Sequence, residues 1–204
     1  MRNAVILIAV SCLMLSGLFL SGCAPSTQVT RVDPETQIDL SGFWNDTDSR
    51  MVAQALITDS LARPWYGNFR EANGKKPTVI VGRVVNETSE HISAVTFIAD
   101  MERAYVNSGS VRVVATAAER EELRDERVDQ GKYSSPETIK QFGREQGADY
   151  MMQGNINSFV DSNGGEEVRT YKVTLTLIDI ETNEKVWIGD HEIKKYIGRS
   201  KFSG

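Results

Sequence analysis

The stretch YKVTLTLID, Tyr171 to Asp179, sets Tyr171, Val173, Leu175 and Leu177 in strict alternation with Lys172, Thr174 and Thr176. Successive side chains of a strand point to opposite faces, so this period commits one face to a core and leaves the other polar. DIETNEK follows as a hairpin turn, and VWIGDHEIKKYI as the returning strand. Upstream, ADYMMQGNINSFV reads as another strand, joined through the glycine turn NGGEE at Asn163 to Glu167. The chain therefore finishes in an antiparallel meander, and the sequence before it carries helices that can cover the apolar side.

Asn45, Asp46 and Thr47 are N-cap candidates, followed by a helical stripe at Met51, Val52, Ala55 and Leu56 that runs out before Pro64. The β-branched run from Lys75 to Asn86 predicts a buried strand. Ile92, Val95, Ile98, Met101 and Tyr105 recur at helical spacing, Gly109 is placed to cap that helix, and Val111 to Ala115 form the next strand. A strand, a helix and a strand in this order predict a right-handed crossover and a parallel pair. TAAEREELRDERVDQGKY, charged on nearly every face, has Leu123, Val128 and its alanines to bury and reads as a solvated helix. Ser135, Pro136 and Glu137 open a further helix with Ile139 and Phe142 on its buried face, ended by Gly147. The expected architecture is a single α/β (α+β) domain, a mixed β-sheet flanked by helices in the order α-β-α-β-α-α-β-β-β.

The amino terminus follows different rules. One positive charge at Arg2, an apolar run to Leu20, and then Ser21 and Gly22 form the layout of a cleaved secretory signal. LSGC, Leu20 to Cys23, resembles the lipobox of bacterial lipoproteins, in which the cysteine thiol accepts a diacylglycerol and becomes the new first residue. On this reading residues 1–22 are removed, 23–39 form a lipidated tether rich in proline and small polar residues, and 40–204 form the domain. Cys12 leaves with the signal, so the mature chain holds one of the two cysteines and forms no internal disulfide. Several acyl chains, at about 0.8 kcal/mol per buried CH₂, anchor a chain to a bilayer without spanning it. In the lipoprotein pattern an aspartate after the cysteine retains the protein at the inner membrane; Ala24 stands there and points to the outer membrane.

Few residues are arranged for chemistry. His91 and His191 lie outside any metal-ligand spacing, the glycines of NGGEE lack the helix and Lys-Ser/Thr of a phosphate loop, and no G-x-S-x-G elbow is present. A formal charge of −5 without a basic block argues against nucleic acid. The expectation is a binding module with no cofactor, no metal and no small-molecule substrate, and not an enzyme. Trp44 and Trp187 read as core or rim aromatics. Trp65, Tyr66 and Phe69, in ARPWYGNF, read as exposed aromatics in a loop after the first helix, suited to anchoring a partner protein.

Taken in order with the lipobox, the blocks DLSGFWNDTDSRMVAQALITDSL, PTVIVGRVVNETSEHI, VRVVATAAEREELRDER, GADYMMQGNINS and YKVTLTLIDIETNEKVWIGDHEIKK resemble the LpoB family, lipoprotein activators of penicillin-binding proteins. The resemblance runs from Leu40 to about Lys195. It implies an outer-membrane lipoprotein facing the periplasm that docks on a non-catalytic domain of a class A penicillin-binding protein, a bifunctional peptidoglycan synthase, and so regulates cell-wall synthesis. The stretch from Ala24 to Asp39 is shorter than the proline-rich tether of the familiar members. The fold class is similar also to that of CsgG-like secretion lipoproteins, which leaves a structural role in an envelope assembly as the alternative.

Overall fold

The computed structural model describes residues 30–33, 36–133 and 147–198. The chain divides into two units, Met1–Thr36 and Gln37–Gly204. In the first, the Thr36 N–H donates to the Asp33 carbonyl at 2.9 Å. Among its described residues the second contains four helices, α1 (Asp46–Leu61), α2 (Pro64–Asn73), α3 (Ala94–Ser108) and α4 (Ala117–Tyr133), and five strands. The strands are β1 (Thr78–Asn86), β2 (Arg112–Val113), β3 (Tyr150–Asn163), β4 (Glu166–Asp179) and β5 (Lys185–Ile197).

The sheet has the order β2-β1-β3-β4-β5. β1 runs parallel to both β2 and β3, and β3, β4 and β5 form the antiparallel meander. The crossover through α3 carries the chain from β1 to β2, as the strand-helix-strand pattern predicts. Tyr171, Val173, Leu175 and Leu177 are each fully buried, so the alternation in β4 sets its core face. Gly154 has a structural reason to lack a side chain: a Cβ there would lie 2.1 Å from the Thr174 carbonyl oxygen of β4.

α1 starts in a capping box, with the Asn45 side chain accepting from the Asp48 N–H and the Asp48 carboxylate accepting from the Asn45 N–H. α3 ends at Gly109, whose φ of +62° is the left-handed C-cap that glycine adopts without penalty. α1 packs on α3 and β5, and α3 on β1 and β2. Phe97, Met101 and Tyr105 from α3 and Val52, Leu56 and Ile57 from α1 close over the sheet's apolar face. Each such side chain contributes about 1.5–3 kcal/mol on burial.

Five local expectations are corrected. The buried stripe of α1 is Val52, Ala53, Leu56 and Ile57, and Met51 is exposed. Its buried face also carries Ser49 and Ser60, which the apolar pattern passes over because each has a partner: Ser49 Oγ donates to Asp100 Oδ2 at 2.7 Å, and Ser60 Oγ lies 3.4 Å from the Tyr105 hydroxyl. In α3, Val95 faces solvent and Phe97 takes the core position. Leu123 and Val128 of α4 are exposed, and β2 pairs over two residues only. The segment read as a loop after the first helix is itself helix α2. The helix expected from Ser135 onward lies outside the described residues, as do the signal segment and Cys23.

Candidate functional site

α2 forms because Pro64 stands at the first helical position, where its missing N–H costs nothing, and Gly74, with φ +63°, stops it. Trp65 and Phe69, four residues apart, therefore share one face. Trp65 is buried, only 5% exposed, and its indole Nε1–H donates to the Ser60 carbonyl at 2.7 Å. That corrects its reading as an exposed loop aromatic, since the helix turns it inward. Tyr66 and Phe69 are half-buried at the rim.

β3 brings Tyr150 against the same face. The Trp65 and Tyr150 ring centroids are 5.1 Å apart at 66°, and those of Phe69 and Tyr150 are 5.6 Å apart at 67°, both edge-to-face contacts. Trp65 also meets Tyr66 edge-on at 5.9 Å. Trp65, Phe69 and Tyr150 line an open groove of about 720 Å³ between α2 and the β4–β5 hairpin, with Ile180 and Val186 on the hairpin side.

The rim of the groove carries Asp149, Asp179, Glu181 and Glu184, and among the described residues no lysine or arginine lines it. Two of the four carboxylates are engaged by the fold. Asp149 Oδ2 accepts the Thr78 N–H at 2.7 Å, and Asp179 Oδ1 accepts the Glu181 and Thr182 N–H groups, each at 2.9 Å, shaping a turn in which Asn183 takes φ +62°. Glu181 and Glu184 are exposed, and their carboxylates have no partner among the described residues. Burial first, and then the Asp179 and Asp149 charges, raise the Tyr150 phenol above its ordinary value of 10.0, so it stays a neutral donor at physiological pH. Among the described residues no group of three or more metal-ligating side chains could hold an ion, so these carboxylates do not converge as a metal centre. No described helix is long and apolar enough to cross a membrane.

The opposite end of the sheet is a closed network. A strap, residues 37–45, leads into α1 and is held by Lys195 of β5, whose ammonium lies 2.6 Å from Asp48 Oδ2 and donates to Asp39 Oδ1 and the Phe43 carbonyl, each at 2.9 Å. Asp39, expected as the last tether residue, is thus fixed to the sheet. Glu90 accepts from Arg169 at 2.8 Å, from the Tyr171 hydroxyl at 2.5 Å and from the Trp44 N–H at 3.2 Å. Sequence reading missed this node and Tyr150 because strand and loop residues far apart in sequence build both; the charges on otherwise apolar strands, Arg169 and Lys195, were the available signal.

The family model described as the peptidoglycan-synthase activator LpoB matches residues 48–193, a range that contains every residue lining the groove. No curated protein matches. Among solved structures, the LpoB C-terminal domain from Escherichia coli is 16% identical with a TM-score of 0.45, over 72% of this chain and 99% of that one. The LpoB C-terminal domain from Salmonella enterica is 17% identical with a TM-score of 0.40, over 74% and 99%. Lipoprotein GNA1162 from Neisseria meningitidis is 16% identical with a TM-score of 0.40, over 62% and 88%.

Proposed function

The chain belongs to the LpoB family of peptidoglycan-synthase activators, and from that premise we propose that it is an outer-membrane lipoprotein that binds and activates a class A penicillin-binding protein. Residues 1–22 are the cleaved signal, Cys23 carries the lipid, and residues 23–39 connect it to the domain on the periplasmic face. Ala24 after the cysteine supports sorting to the outer membrane. The activator carries no active site of its own. It acts by docking on a non-catalytic part of the synthase, so that binding free energy favours the synthase's active conformation.

The docking end is the one that bears Trp65, Tyr66 and Phe69. Tyr66 and Phe69 offer contact area, and Trp65 holds the helix that presents them. The observation that carries this reading is the groove that Trp65 and Phe69 line together with Tyr150, where an aromatic base meets the exposed carboxylates of Glu181 and Glu184, which have no partner among the described residues. Aromatic floors with a polar rim are typical of the centres of protein interfaces.

The test is to add the lipidated chain in detergent to purified class A synthases of the same organism and follow glycan polymerisation. A raised rate with at least one of them is expected, and no stimulation of any would contradict the proposal. For the anchor, labelled palmitate enters the wild-type chain and not Cys23→Ser; incorporation into both would exclude Cys23 as the site.

A further inference from the structure

Resting on the lipoprotein reading, we propose that the strap end of the domain lies on the phospholipid bilayer that holds the anchor, with Leu40 and Phe43 seated among the lipids.

The strap is fixed to the sheet by polar groups and turns its apolar side chains outward. Asp39 and the Phe43 carbonyl accept from Lys195, and the Gly42 carbonyl oxygen lies 3.1 Å from the Tyr171 hydroxyl. None of these bonds covers the side chain of Leu40 or Phe43. Leu40 is 94% exposed, and Phe43 is exposed although the Arg169 guanidinium lies 4.4 Å from its ring centroid. The neighbouring surface is of the same kind. Leu40 shares a groove of about 440 Å³ with Met51 of α1 and Tyr196 of β5, and Phe43 shares one of about 310 Å³ with Val160 of β3. All five of these side chains are exposed. One exposed leucine is ordinary, but apolar side chains gathered around a single held segment mark a contact surface.

Charge is an independent argument for lipid. Carboxylates around the strap are taken up inside the chain, Asp39 and Asp48 by Lys195, Glu167 by Arg169 and Asp46 by Arg50. A surface whose anions are already answered enters a medium of low polarity at less cost than one with free charges. Lys194, exposed on β5 beside Tyr196, is placed to keep its ammonium among lipid phosphates while its stem lies on the apolar surface.

The route of the chain selects the occupant. The domain unit begins at Gln37, which lines the Leu40 groove itself. From Cys23 to that point the chain reaches at most about 50 Å when fully extended. A surface tethered so close to a bilayer meets it at high effective concentration, so a weak apolar contact is enough to hold it there. The α2 end, at the opposite end of the sheet, is then turned away from the bilayer and toward a partner in the periplasm.

The test uses the lipidated full chain in vesicles of phosphatidylethanolamine and phosphatidylglycerol. With Cys23 acylated, Leu40→Cys and, as the distant reference, Glu181→Cys each offer a single thiol for a nitroxide label. Power saturation compares collisions with oxygen, which concentrates in lipid, and with a nickel chelate, which stays in water. The label at position 40 is expected to lose its nickel collisions and gain oxygen collisions on reconstitution, and the label at position 181 to keep its nickel collisions. Equal nickel access at the two positions would overturn the proposal. So would protection that fades as the protein is diluted in lipid, because a second copy is then the cover. Mass spectrometry of the wild-type chain separates the two levels. Acyl chains on Cys23 with a water-exposed label at position 40 leave the anchor standing and contradict the surface. A chain without them contradicts the anchor, and sedimentation with the same vesicles then decides the surface. There the wild type is expected to bind and Leu40→Ser/Phe43→Ser, unfolding at the wild-type temperature, to bind at least about tenfold more weakly; equal sedimentation of the two contradicts the surface.

Discussion

The two ends of the sheet treat polar groups in opposite ways. At the strap end Lys195, Asp48, Glu90, Arg169 and Tyr171 are nearly withdrawn from water, and each is answered by a partner within the domain. At the α2 end Glu181, Glu184 and the Tyr150 hydroxyl are placed around an aromatic floor and have no partner among the described residues. A buried charge without a partner is costly, so the strap network has to be complete for the fold to persist. The groove groups are free of that requirement.

This contrast is broken most severely by removing the strap cation. Lys195→Met leaves the Asp48 carboxylate, whose side chain is 3% exposed, without its ammonium, and should cost about 3 kcal/mol, read from the urea midpoint. Glu181→Gln/Glu184→Gln should cost less than about 0.5 kcal/mol in the same measurement, as for exposed groups in general. Equal costs would erase the distinction between the ends.

A smaller and sharper comparison pairs two tyrosines. Tyr171→Phe deletes a hydroxyl that donates toward Glu90 and lies 3.1 Å from the Gly42 carbonyl oxygen, and should lose about 1.5 kcal/mol. Tyr150→Phe deletes a hydroxyl without a partner among the described residues and should leave stability unchanged within about 0.5 kcal/mol. Thermal unfolding of the two variants side by side decides between these outcomes.

The smallest effect is a pH window on the strap. Hydrogen bonding to Lys195, chiefly, holds the Asp39 carboxyl below its ordinary value of 3.8. Its contribution is whole above pH 3.8 and is lost as pH falls through the lower folded value. Burial alone would lower the Lys195 ammonium, but its bonds to Asp48 and Asp39 raise it above its ordinary 10.5. That contribution is whole below pH 10.5 and is lost as pH rises through the higher folded value. The hydrogen-exchange protection factor of the Trp44 amide should therefore be level between pH 3.8 and 10.5 and fall outside that window. A decline centred near neutrality would contradict the assignment.

How much of this was legible in the sequence follows from what sets each feature. The alternation of Tyr171 to Leu177, the capping residues around Asn45, and Gly109 at the end of α3 are local signals, and they read directly into β4, α1 and the crossover. α2 went unread because ten residues with a glycine inside them and a tryptophan-tyrosine pair at the start resemble a loop when Pro64 is taken as a stop, whereas here it is a first helical residue. Phe97 and Val95 were confused because both are apolar and two residues apart, and only the sheet beneath decides which faces it. The aromatic residues of the site were visible as a group, but their carboxylate rim was not. Asp149 and Asp179 come from different strand ends, and the β-sheet register that pairs Tyr150 with Asp179 is a tertiary fact.

The measurement that bears most directly on the account is glycan polymerisation by a class A synthase in the presence of the lipidated chain, wild type against Glu181→Gln/Glu184→Gln, with unfolding temperatures recorded for both. The account predicts that the wild type raises the rate and that the double variant, equally stable, does so at least about tenfold less effectively at equal concentration. Equal stimulation by the two proteins, or none by the wild type, would contradict it.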